Sequence, residues 1–280
     1  MKKVLILTII LSLGSVSASW AEFLFEGAGV RPISMGGAFV GLADDANCVY
    51  YNPAGLAYLK EREELFMYGS RFDLVKISQV TLAQKNMGFS LLRQKADLYK
   101  SKDHPDGSAM SESIFALAFG RELFPNSAFP VALGGSLTFL LLDSTEGNDG
   151  GIGLDLGMLV KWKEGISAGL SIRNAATEVR GEEVPVVVAT GVAYEVRKGI
   201  VIATDLAVRK GENKTSKSFH LGAEMEILEV IRLRGGINNG AIIFGMGFAQ
   251  GNWQLDGAYS IFNSDLDTKD AFYFDVGFKF

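Results

Sequence analysis

Ser218 and His220, two residues apart, are the nearest this sequence comes to a catalytic pair. On a strand they share a face, and a hydroxyl beside an imidazole could serve acyl transfer if an acid oriented the ring. No acid stands at a defined spacing to do so. His104, the other histidine, sits in the solvated charged stretch Lys100-Ser101-Lys102-Asp103-His104-Pro105. Cys48 is the single cysteine, so no intrachain disulfide framework exists, and its setting suits a small buried hydrophobe. Metal-ligand spacings, a phosphate-binding glycine loop and a nucleophile elbow are all missing from the sequence. Gly36-Gly37 stands among apolar residues and suits packing. The sequence therefore points away from an enzyme and calls for no metal or cofactor. Its chemistry lies instead in charges spaced between apolar residues. The acids are Asp155, Glu195, Asp205, Glu224, Asp256 and Asp275; the bases are Lys161, Arg173, Arg209, Arg232, Arg234 and Lys279. Mixed signs do not suit a pore lined with one charge. They suit ion pairs that brace an interior.

The elements that carry these charges read as β-strands. In 272–280, Phe272, Phe274, Val276, Phe278 and Phe280 form one row, and Tyr273, Asp275, Gly277 and Lys279 the other. Alternate side chains of a strand point to opposite faces, so one face is apolar and the other polar or small. The same alternation recurs. Phe219, Leu221, Ala223 and Met225 oppose Ser218, His220, Gly222 and Glu224; Ile231, Leu233 and Gly235 oppose Arg232, Arg234 and Gly236. Further rows run through 242–248 and 253–259. Earlier segments near 63–72, 74–83, 86–94, 111–121, 129–142, 151–162, 165–173, 184–196 and 199–209 complete a set of about 14, an even number as a bacterial membrane barrel requires. A soluble β-sandwich or propeller is the competing architecture, but strands of about ten residues fit a bilayer better. A terminal strand closing on Phe resembles the assembly signal of bacterial outer-membrane barrels. That resemblance marks Phe274, Phe278 and Phe280 for recognition by barrel-assembly machinery.

Composition and targeting agree. Hydrophobic residues make up 48% of the 280, with 33 glycines, and mean hydropathy is +0.19, yet past residue 21 no apolar run is long enough for a helical span. Lys2 and Lys3, the apolar stretch Val4 to Leu13 and a Ser19-Trp20-Ala21 site predict a signal peptide over 1–21, cleaved after Ala21. No cysteine follows the cut to carry a lipid anchor. Losing the two lysines takes the net charge from −5 to −7, which disfavours nucleic acid as a partner. Connection lengths supply a further test. Polar stretches near 95–109, 143–150, 174–183, 210–216 and 262–269 read as long loops, alternating with tight turns at 84–86, 163–165, 197–199 and 251–252. Asn239-Gly240 breaks the rule as a two-residue hairpin turn.

If the polar rows face the lumen, their many small residues, such as Gly169, Gly191, Gly245, Gly247 and Gly277, leave room for something inside. Residues 22–62 do not alternate and are the natural occupant, a hatch ahead of a barrel over 63–280. Asn52-Pro53 starts a helix sensibly, with Asn as N-cap and Pro at the first position. The run carrying Met35-Gly36-Gly37-Ala38, then Asp44-Asp45, then Asn52-Pro53-Ala54-Gly55 resembles the N-terminus of the PorV/PorQ-like outer-membrane proteins. More distantly it is similar to the FadL/TodX long-chain fatty-acid transporters. The motif covers about thirty residues; the rest matches in pattern only. The resemblance implies a 14-stranded barrel in the outer-membrane lipid with an N-terminal helical hatch in its lumen. On the FadL side it implies uptake or export of fatty acid or another hydrophobic solute, through a gap in the wall beside the hatch. On the PorV side it implies an adaptor for secretion-system proteins, and a purely structural barrel is a third reading. The chain is shorter than typical members, so a ligand groove built from elaborate external loops is not expected.

Overall fold

The computed structural model describes residues 27–98, 108–125, 127, 129–145, 147–162, 164–175, 177–179, 182–211, 215–262 and 270–280. The signal peptide, residues 22–26 of the expected hatch, and His104 lie outside the described residues.

Fourteen strands close into one antiparallel barrel. They are β1 (Glu63–Arg71), β2 (Val75–Gln84), β3 (Met87–Leu98), β4 (Ser108–Glu122), β5 (Val131–Ser144), β6 (Gly147–Lys161) and β7 (Ile166–Ala175). After a small hairpin of β8 (Glu178–Val179) and β9 (Glu182–Glu183) come β10 (Val186–Arg197), β11 (Ile200–Lys210) and β12 (Thr215–Ile227). β13 (Ile231–Asn238), β14 (Ala241–Gln250), β15 (Trp253–Ile261) and β16 (Ala271–Lys279) complete the wall. β16 pairs back onto β1, from Glu63 opposite Lys279 to Arg71 opposite Ala271, so no strand edge is left open. Chain ends and turns such as 85–86, 198–199 and 251–252 share one rim, here the terminal rim. The opposite end is the loop rim.

The period-two pattern positions every side chain in this wall. Outward rows are apolar and exposed, as with Phe66 and Tyr68 on β1, Phe244 and Met246 on β14, and Phe272, Phe274 and Phe278 on β16. Inward rows are buried, among them Asp256 and Ala258 on β15 and Tyr273 and Asp275 on β16. Turns fall where left-handed backbone is available, at Gly165, Gly199, Asn86 and the Asn239-Gly240 pair.

Two expectations need correction. The stretch 143–150 is not a long loop: β5 continues to Ser144 and β6 starts at Gly147, because polar residues beyond a bilayer can go on pairing in water. Conversely, the 123–130 connection on the terminal rim is long, so loop length alternates less strictly than the sequence implies. The lumen-facing rows are also not uniformly polar. Leu65, Met67, Ile77, Leu92, Leu140, Leu142, Leu159 and Ile243 point inward and are buried, since the interior holds protein rather than bulk water.

Candidate functional site

Residues 27–62 lie inside the barrel. Three short helical turns, Val30–Ser34, Cys48–Tyr51 and the 3-10 helix Pro53–Tyr58, are too short to satisfy their own backbone groups. The wall supplies the missing partners. Asp205 Oδ2 accepts the N–H groups of Phe39 and Val40, both at 2.7 Å. Asp275 accepts from Val30 N at 3.2 Å, Gln79 from Gly29 N at 2.7 Å, and Glu63 from Ala46 N at 2.8 Å. The other Glu63 oxygen accepts from Lys279 Nζ at 2.8 Å.

A charge relay runs across the terminal half of the lumen. Arg31 donates Nε and Nη2 to Glu224, both at 2.8 Å, and Nη1 to Asp44 at 2.6 Å and Asp45 at 2.8 Å. Glu224 in turn accepts Arg234 Nε at 2.6 Å, and Arg234 also bonds Asp256. Bidentate guanidinium–carboxylate geometry of this kind is the strong form of ion pair. Asp44 and Asp45 of the N-terminal motif thus meet Glu224 and Arg234 of the wall through Arg31.

The remaining motif residues act through close approach. Gly36 and Gly37 take positive φ, 67° and 84°. A Cβ at Gly36 would strike the backbone of Leu221 and Ile237, and one at Gly222 or Gly236 would strike Met35 or Gly36. Ala38 is fully buried. Asn52 Oδ1 caps the 3-10 helix by accepting Ala54 N at 3.2 Å, while its Nδ2 donates to Val40 O at 2.9 Å and Met158 O at 3.0 Å. Pro53, Ala54 and Gly55 lie buried beneath Gly120, Gly134 and Gly157 of β4, β5 and β6, where a side chain would collide with the plug.

The structure answers the chemical candidates too. His220 bonds Gly36 O through Nδ1 at 2.8 Å and Ser218 Oγ through Nε2 at 3.0 Å, so its ring tethers the plug. Burial pushes the Cys48 thiol well above its ordinary pKa, helped by the Asp45 and Glu63 carboxylates, which disfavours the reactive thiolate. Among the described residues no group of three or more His, Cys, Asp or Glu could hold a metal.

On the loop-rim side of the plug lies a recess of about 530 Å³, part of it open to solvent, floored by Val49 and Tyr50. Ile114, Ala116 and Val187 give it apolar walls; Asp155, Arg173 and Arg209 give it charge. Beside it the β6–β7 register slips: Leu154 faces Ala175 but Leu156 faces Ile172. The extra residues are Arg173 and Asn174, the latter at φ 58° with its N–H on Asp155 at 2.8 Å, and Arg173 lies over the Tyr50 ring at 4.9 Å. The sequence singled out neither Tyr50 as a floor nor this bulge. Only the asparagine hinted at a left-handed position.

Comparison with solved structures places this arrangement among transporter barrels. The toluene transporter TbuX of Ralstonia pickettii superposes with a TM-score of 0.65 at 12% identity, over 92% of this chain and 100% of that one. The toluene transporter TodX of Pseudomonas putida gives 0.64 at 11% identity, over 91% and 98%. A FadL homologue of Pseudomonas aeruginosa gives 0.56 at 8%, over 87% and 96%. The fold is that of outer-membrane transporter barrels. No family model matches the sequence, and no curated protein matches it. The FadL/TodX side of the sequence resemblance thus has a structural counterpart; PorV and PorQ do not figure among these neighbours.

Proposed function

We propose that the protein is an outer-membrane barrel through which small hydrophobic molecules pass, with residues 1–21 as its signal peptide, 22–62 as its hatch and 63–280 as its wall. The observation that carries this reading is the interior itself. A plug tied to the wall blocks bulk water, while buried Met67, Ile77, Leu92, Leu140, Leu142 and Ile243 offer apolar surface. A water-filled porin has a polar lumen instead. The β6–β7 register slip beside the recess is the place where a solute could leave through the wall, as the FadL-like resemblance implies. The outward row of Phe274 and Phe278, with Phe280 at the rim, serves recognition by barrel-assembly machinery in this reading.

Reconstituted in a planar bilayer, the intact protein is expected to conduct poorly, and in liposomes to speed entry of a neutral aromatic. A large stable conductance would mean a porin. Poor conductance with no solute entry and a stably copurifying secretion protein would replace transport with the PorV-like adaptor role.

A further inference from the structure

The recess above the plug carries a charge pattern that a neutral hydrocarbon would not use. Its lining holds two guanidinium groups, Arg173 and Arg209, and one carboxylate, Asp155. Asp155 is already engaged by the Asn174 N–H. Arg173 is held against the Tyr50 ring, which fixes its planar fork toward the cavity side of the plug. Thr138, also in the lining and 4% exposed, has a hydroxyl oxygen with no hydrogen-bond partner. A buried hydroxyl without a partner is uncommon and costly.

We propose that this recess binds a compact organic anion, a single carboxylate on an aromatic or alicyclic body. The carboxylate would sit between Arg173 and Arg209, whose forks match its two oxygens, and accept the Thr138 hydroxyl. One negative charge balances the excess of one positive charge among the lining residues, and burying it there avoids the cost of an uncompensated ion. Val49, Ile114 and Val187 contact the apolar body. The body must be compact. Tyr50 closes the floor, and the Asn174 Nδ2 bond to Pro185 O at 3.2 Å draws together the two ends of the 175–186 connection beside the recess. This assignment rests on the hydrophobic-passage reading and names the solute class of the same interior.

Calorimetric titration of the purified full chain in detergent tests it, with benzoate as the anion and toluene as its neutral counterpart of like shape. Wild type is expected to bind benzoate more tightly than toluene. Arg173→Gln and Arg209→Gln should each weaken benzoate by about tenfold or more, the range for losing a charge-assisted hydrogen bond, and leave toluene unchanged. Arg173→Lys should restore part of the loss, and Ala116→Leu, which fills the recess, should weaken both ligands. Heat-modifiability on gels confirms that each variant is folded. Benzoate binding no tighter than toluene, or unaltered by both glutamine variants, overturns the proposal. Binding of neither probe while liposomes still admit toluene overturns the site and leaves passage standing. Arginine-dependent benzoate binding without entry of either compound keeps the site and overturns passage.

Discussion

The two halves of the plug are held by different physics. From Gly29 to Ala46, the chain hangs on directional bonds: wall side chains Gln79, Glu63, Asp205 and Asp275 accept its backbone N–H groups, and Arg31 pairs with Glu224. From Asn52 to Tyr58 it is seated by shape. Gly120, Gly134 and Gly157 let the Pro53-Ala54 backbone lie against β4 to β6, with only Asn52, the Leu56 carbonyl and Tyr58 bonding outward. The first half borrows glycine as well, at Gly222 and Gly236. The difference matters because a carboxylate can be reached from several approaches, whereas a glycine seat admits one. Shape fixes where the plug sits, and charge fixes how it is oriented.

The sharpest way to break that contrast is Gly134→Leu. Its side chain would have to occupy the space of the Pro53 and Ala54 backbone, beyond the roughly 1–3 kcal/mol of ordinary overpacking. Loss of the heat-modifiable folded band, or a folded barrel with porin-like conductance from an expelled plug, is expected; a normal folded band with low conductance would contradict it. Arg31→Gln comes next. It strips the cation from Asp44, Asp45 and Glu224, and breaking a largely buried pair costs about 3–5 kcal/mol. A lower unfolding temperature with unchanged strand content, read by circular dichroism, is the expected result. Asn52→Ala touches both halves through Val40 O and Met158 O and should cost about 1–2 kcal/mol. If its loss in thermal midpoint exceeds that of Arg31→Gln, the ranking of the two halves is inverted.

The barrel was largely legible in the sequence because a strand exposes its period in every second residue. All fourteen wall strands and the facing rows of β12 to β16 follow from alternation alone. Asn52-Pro53 was readable for the same local reason, a cap beside the helix that it starts. Leu140 and Leu142 were not, since an apolar residue on an inward row looks like a fault in the period until the plug and the β8–β9 hairpin are seen to cover it. Nor could Asp205 be matched to Phe39 and Val40, or Arg31 to Glu224. Those partners are joined by closure of the barrel, which leaves no mark on nearby residues. The β6–β7 slip hid behind an expected loop, because a bulge near a rim and a shorter strand have the same local pattern.

Glu63 gives the molecule a direction in time. It opens β1, holds Ala46 of the plug and reaches Lys279 of β16, a partner 216 residues away. Contacts so remote along a chain are slow to form, because the entropy of closing the intervening loop must be lost before they can help. The plug must therefore be waiting between the two edge strands when they meet. A cylinder sealed early would have to unzip at Glu63 and Lys279 before its stopper could be admitted, so maturation of this protein is governed at the seam.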